Sequence, residues 1–128
     1  EVIIDLEPDL PPAMIHPDFL GRIVQNLLTN AVAHAPDSGR LTCRAWVKDG
    51  MIQLSLADRG PGVRPEHRKA IFEKFSQLPG RTGPRTSTGL GLTFCRLAVE
   101  AHGGIIWVQE GPSGGADFRF TLPLAEET

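Results

Sequence analysis

The order of elements legible in the chain, β-α-β-β-α-loop-α-β-β, predicts an α/β fold. It is a two-layer α/β sandwich, a mixed sheet of about five strands with three helices on one face. Three observations carry that prediction. The stretch from Phe19 to Pro36 repeats its apolar residues at helical spacing. The segments Leu41–Lys48 and Met51–Ala57 alternate in polarity around Asp49-Gly50, a strong two-residue hairpin signal. A second helical run ends at Gly103-Gly104 and is followed by two more strand-like segments. With 128 residues, 41 % hydrophobic and 22 % charged, the composition is that of a single globular domain.

In chain order, Glu1–Leu6 alternates and reads as a short strand, and Pro8, Pro11 and Pro12 then stiffen the connection. Pro17 and Asp18 give a helix-start signal, Pro36 and Gly39 a stop. Between them Leu20, Ile23, Leu27, Leu28, Ala31 and Ala35 share one face. Asn26 and Asn30, four residues apart, lie one above the other near its rim. Pro65 opens a further helix carrying Ala70, Ile71, Phe72 and Phe75. Residues 78–88 have no periodicity, an unusual length for a featureless loop in a compact domain. A helix beginning at Gly89 places Leu90, Phe94, Leu97, Ala98 and Ala101 at helical spacing. Ile105–Gln109 and Asp117–Leu122, joined by Gly-Pro-Ser-Gly-Gly, close the chain as strands.

Composition also excludes some function classes. A net charge of −2 supplies no basic footprint for nucleic acid, so an anion site has to be local. The four histidines include no pair at metal-ligand spacing. Cys43 and Cys95 form neither a Cys-x-x-Cys motif nor a disulfide framework, which fits a reducing compartment. No apolar run approaches the ~18 residues of a membrane span, and the first residues are not a signal peptide. The expectation is a cytoplasmic domain, residues 1–128, that touches neither nucleic acid nor membrane. Starting at Glu1 and not at Met, it reads as a piece of a larger protein.

Three groups of residues carry chemistry. The amide oxygens of Asn26 and Asn30 suit Mg²⁺ and their NH₂ groups suit phosphate oxygens, although a pair of this kind on an isolated helix is ordinarily solvated. Asp58-x-Gly60-x-Gly62 follows a strand directly. A carboxylate there can accept from an exocyclic amino group such as adenine N6, and the glycines admit a flat ring; the same pattern also makes an ordinary turn. Thr88-Gly89-Leu90-Gly91-Leu92 sits between the loop and a helix start, where free backbone N–H groups suit an anion. The loop supplies Arg81 and Arg85, each of which can fold over a phosphate or simply face water.

The fixed order of these boxes, with Phe72-Glu73-Lys74-Phe75 between the second and third, is specific where each box alone is not. Over essentially its whole length the chain resembles the catalytic and ATP-binding domain of a bacterial sensor histidine kinase. The superfamily, GHKL or Bergerat-fold, is shared with type II topoisomerases, mismatch-repair ATPases and heat-shock chaperones. The resemblance implies that Asn30 ligates Mg²⁺, that Asn26 contacts the ion or the phosphates, and that His34 lies beside the base. It further implies that Asp58 holds adenine N6 with Gly60 and Gly62 lining the pocket. Phe72 and Phe75 anchor the near end of an ATP lid over residues 78–88. Thr88, Gly89, Leu90 and Gly91 receive phosphates. Many members carry Lys or Arg three residues after the second asparagine and Arg at the end of the phenylalanine box; here stand Ala33 and Gln77. The cations that a polyphosphate needs then fall to Lys74, Arg81 or Arg85, so Asn26, Lys74 and Arg85 are the expected catalytic set.

Hydrolases of the superfamily place a Glu, a general base, where this chain has Asn26, and an amide is no base at neutral pH. Phosphoryl transfer, which needs mainly positioning and charge neutralisation, is the expected chemistry. In the family the acceptor histidine lies on a separate helical dimerisation domain, with a response regulator downstream. None of His16, His34, His67 or His102 has the flanks of such an acceptor. Two alternatives share the boxes: a nucleotide-gated interaction module with vestigial catalysis, and a serine kinase of the anti-sigma type.

Overall fold

A computed structural model describes residues 2–34, 40–73, 90–112 and 114–125. Five strands and two α-helices follow in the order β1 (Val2–Leu6), α1 (Pro17–His34), β2 (Leu41–Lys48), β3 (Met51–Ala57), α2 (Gly91–Ala101), β4 (Ile106–Glu110) and β5 (Ala116–Pro123). The strands form one sheet in the order β1-β2-β3-β5-β4. β1 runs parallel to β2 and every other pairing is antiparallel, so the sheet is mixed as expected. Asp49 and Gly50 both take positive φ, 53° and 77°, the geometry of the tight hairpin that their sequence signals.

Register turns the alternation of each strand into two faces. Cys43, Leu56, Phe118 and Val108 stand in one row across β2, β3, β5 and β4, and Ala45, Leu54, Phe120 and Ile106 in the next. Apart from Ala45, these residues meet Ile23 and Leu27 of α1 and Cys95, Ala98 and Val99 of α2 in one core. Each large side chain that is fully buried there contributes about 1.5–3 kcal/mol. The opposite face carries Arg44, Ser55, Arg119 and Trp107 in register. On it the Arg44 and Arg119 guanidinium groups lie 5.4 and 5.1 Å from the Trp46 ring centre.

The third helical segment differs in detail from its sequence reading. Among the described residues it consists of two 3-10 turns, Pro65–His67 and Ala70–Phe72, and not one α-helix. Its backbone bonds, Arg68 N–H to the Pro65 carbonyl and Phe72 N–H to the Lys69 carbonyl, span three residues each. Ile71 and Phe72 still reach the core, where Phe72 meets Phe118 edge-on at 6.1 Å. α2 begins at Gly91, two residues later than expected, with Leu90 as its N-cap; Gly89 lies outside the described residues.

Candidate functional site

Asp58 stands where β3 ends, and only 7 % of it is exposed. Its backbone N–H donates to the Ala116 carbonyl at 2.9 Å, extending the β3–β5 ladder by one rung. Its side chain accepts twice, from Gly60 N–H at 2.9 Å and from Ala116 N–H at 3.0 Å. Both bonds go to Oδ1; among the described residues Oδ2 receives none. A carboxylate is thus held in one orientation by backbone on both sides, with its second oxygen left to accept from something else.

Glycines make that approach possible. A Cβ on Gly115 would collide with the Asp58 backbone carbonyl and would stand 2.6 Å from Oδ1. Gly62 has φ of +77°, which L side chains rarely adopt, and its missing Cβ would lie 3.1 Å from the Gly114 carbonyl oxygen. The Asp-x-Gly-x-Gly box and the Gly114-Gly115 turn are therefore two halves of one close backbone contact. The second half was read from sequence only as a turn, because Ala116 lies 58 positions after Asp58 and pairing across that distance leaves no local signal.

The second cluster lies in the seam between α1 and α2. Asn26 and Asn30 are half-buried on α1, at the rim that the helical spacing predicts. Asn26 faces the first residue of α2: a Cβ built on Gly91 would lie 3.4 Å from Asn26 Oδ1. Among the described residues no side chain caps the N-terminus of α2, where first-turn N–H groups suit an anion. Leu90, the N-cap, is exposed. α2 also secures the segment that leads toward residues 78–88. The Phe72 carbonyl accepts from Thr93 Oγ1 at 2.9 Å and from Arg96 Nε at 3.4 Å.

The structure thus brings Asn26 to Gly91 and Asp58 to Gly60. His34 is the last residue of α1, and its side chain lies outside what is described. Lys74, Phe75, Arg81, Arg85, Thr88 and Gly89, and with them the expected lid, also lie outside the described residues. Sequence reasoning passed over Cys95, which is wholly buried in the seam beside Asn26. Burial pushes its thiol up to about 12, against smaller opposing effects from the Asn26 amide and its own backbone. No helix among the described residues is long and apolar enough to cross a membrane.

Comparison with known proteins gives this geometry a context. Residues 15–126 match the family described as histidine kinase-, DNA gyrase B-, and HSP90-like ATPase. The adaptive-response sensory kinase SasA of Trichormus variabilis is 35 % identical over 125 residues, which are 97 % of this chain and 31 % of that protein. SasA of Synechocystis is 35 % identical over 124 residues, 96 % of this chain and 32 % of its own length. The chain therefore spans about a third of the curated relatives it matches. Among solved structures, full-length ShkA in complex with AMPPNP superposes with a TM-score of 0.83 at 32 % identity, covering 100 % of this chain and 26 % of that one. The mycobacterial sensor histidine kinase MprB gives 0.81 at 29 % identity, covering 99 % and 83 %. These matches bear out the resemblance that the four boxes carry, and the chain belongs to the histidine kinase-, DNA gyrase B-, and HSP90-like ATPase family.

Proposed function

We propose that the chain is the catalytic domain of a histidine kinase. It binds ATP with Mg²⁺ and donates the γ-phosphoryl group to a histidine on a separate helical dimerisation domain, with a response regulator downstream, in the cytoplasm. The observation that carries the nucleotide assignment is Asp58, a buried carboxylate with Oδ1 engaged twice by backbone and Oδ2 left to accept. An exocyclic amino group such as adenine N6 meets that need. The sensory kinases among its relatives favour transfer over hydrolysis, as does the amide at Asn26 where a general base would otherwise stand.

The donor set of the seam fits Mg²⁺, since amide oxygens are hard neutral ligands. Asn30, with Asn26 beside it, would hold the ion, which when bound neutralises phosphate charge. The chain's own residues then have three tasks. Asp58 fixes the base, with Gly60 and Gly62 along its wall and His34 beside it. The uncapped N–H groups at Leu90 and Gly91, with Thr88 and Gly89, receive phosphate oxygens. Lys74, next to Phe75 in sequence, or Arg81 or Arg85 of the lid over residues 78–88, supplies the positive charge on the transferring group.

The test is transfer. The chain, given labelled ATP, Mg²⁺ and a helical acceptor domain of a sensory kinase in trans, yields acid-labile phosphohistidine while the chain alone hydrolyses ATP slowly. Rapid hydrolysis by the chain alone contradicts the reading. One observation favours a second reading: Ala33 and Gln77 stand where many members of the family carry cations. A nucleotide-gated interaction module with vestigial catalysis would bind ATP in the same assay and transfer nothing.

A further inference from the structure

The row of α1 that carries Asn26 and Asn30 begins one turn earlier, at Arg22. The three residues are spaced by four, so they follow one another along one inclined ridge, each about 6 Å further along the helix axis. Contacts with α2 show how the ridge runs. Asn26 faces Gly91, and the Ile23 carbonyl accepts from Cys95 Sγ at 3.6 Å. The Arg22 guanidinium lies 4.2 Å from the Phe94 ring centre, and Phe19 meets His102 edge-on. The two helices are therefore antiparallel. Phe94 closes the first turn of α2, its N–H donating to the Leu90 carbonyl at 2.8 Å. Arg22 thus stands beside that first turn, on the far side of Asn26 from Asn30. Four other arginines, Arg44, Arg64, Arg96 and Arg119, each face a carboxylate. Arg22 has Asp18 four residues before it, the spacing of a helical ion pair, yet Asp18 lies 3.9 Å from His16 Nδ1 and the guanidinium rests on Phe94. Among the described residues exposed Arg22 has neither a carboxylate partner nor a hydrogen bond.

We propose that Arg22 binds the terminal phosphate of the nucleotide, as a cation on α1 that none of the four boxes includes. The proposal rests on the reading of the site as one for Mg²⁺ and ATP. In that reading the nucleotide follows the ridge: His34 stands beside the base, Asn30 at the metal, and Asn26 with the start of α2 at the phosphates. The next position beyond Asn26 is Arg22, so its charge falls at the end of the triphosphate and not at the two phosphates nearer the ribose. An extended arginine side chain spans the one turn between Arg22 and Asn26. Phe94 holds the guanidinium at this edge through its ring face, which leaves the N–H fork for another partner. Two oxygens of a phosphate offer that fork a bidentate, charge-assisted contact, stronger than a cation–π contact at an exposed site. Ala33 stands where many members of the family carry a cation, and Arg22 supplies one from the other side of the asparagine pair.

The test compares two nucleotides that differ by that phosphate. Calorimetry on the 128-residue chain, with Mg²⁺, measures the affinities of ADP and of a non-hydrolysable ATP analogue for wild type, Arg22→Gln and Arg22→Lys. Loss of a charge-assisted contact predicts that Arg22→Gln weakens the analogue about 10-fold and ADP less than about 2-fold, so the ratio of the two affinities falls. Arg22→Lys, which keeps the charge and loses the fork, retains part of that ratio. Arg22 is exposed, so neither variant disturbs the core. An unchanged ratio in Arg22→Gln, including an equal loss for both nucleotides, would overturn the proposal. Loss of phosphoryl transfer to a helical acceptor domain with the ratio unchanged would also overturn it, and would assign Arg22 to the surface that meets the acceptor. A wild-type chain that binds neither nucleotide would instead overturn the reading of the site, and the proposal with it.

Discussion

Two buried aspartates lie one rung apart where β3 and β5 meet, Asp58 opposite Ala116 and Asp117 opposite Ala57, and their hydrogen bonds separate them. Asp117 is 1 % exposed and has a partner on each oxygen: Ser55 Oγ donates to Oδ1 at 2.5 Å and Arg119 Nε to Oδ2 at 2.9 Å. Asp58 is 7 % exposed, yet both of its bonds converge on Oδ1. Burial alone would mark both as candidate sites. Counting partners oxygen by oxygen leaves Asp58 with capacity for a ligand and makes Asp117 part of the framework, since a buried acceptor left unpaired is costly.

Removing the Asp117 carboxylate, which has a partner on each oxygen, separates the two most sharply. Asp117→Ala leaves Ser55 and a largely buried Arg119 without their acceptor and should cost roughly 3 kcal/mol. Chemical denaturation reads that loss, while ATP affinity of the folded chain stays at the wild-type value. A large loss of affinity with stability intact would assign Asp117 to the site. Asn30→Ala, which removes a proposed metal ligand, should weaken ATP binding roughly 10-fold with Mg²⁺, the worth of a charge-assisted contact, and hardly at all with EDTA. An unchanged ratio of the two affinities would mean that Asn30 does not hold the ion. The smallest effect belongs to Cys95. Its pKa rises from 9.0 to about 12 on folding, so the unfolded chain releases this proton first as pH climbs. The stability from keeping the thiol neutral is complete below about pH 9 and is lost progressively between about 9 and 12. Denaturation midpoints should fall less steeply with pH in Cys95→Val; identical alkaline slopes would contradict this.

Much of the scaffold was legible because alternation and turn chemistry are local. β2 and β3 emerged at their expected bounds, and α1 carries its buried residues where 3.6-residue periodicity places them. The segment after Pro65 was less legible: apolar spacing at Ala70, Ile71 and Phe72 is satisfied as well by 3-10 turns as by an α-helix. In the site, Asp58, Gly60, Gly62, Asn26 and Asn30 were readable from spacing, and the family resemblance gave them roles. Gly115 was not, since its need for glycine arises from Asp58, far away in sequence. Cys95 was not either, because a thiol at an apolar helix position reads as a small hydrophobe until its neighbour is known. The difference between Asp58 and Asp117 lies in bond counts, which no sequence pattern encodes.

The proposed role of Asp58 Oδ2 is that of an acceptor reserved for an amino group on a purine. Calorimetric titration of ATP and GTP, with Mg²⁺, into wild type and Asp58→Asn tests it most directly. Adenine offers an amino donor at the ring position where guanine offers a carbonyl, and an unpaired buried polar group costs about 1–3 kcal/mol. Wild type should therefore prefer ATP by roughly 5- to 150-fold. Asparagine keeps Oδ1 for the Gly60 and Ala116 N–H groups and puts an NH₂ in place of Oδ2, so the fold survives while the preference shrinks or reverses toward GTP. Equal affinities for ATP and GTP in wild type, or an ATP preference untouched by Asp58→Asn, would contradict it.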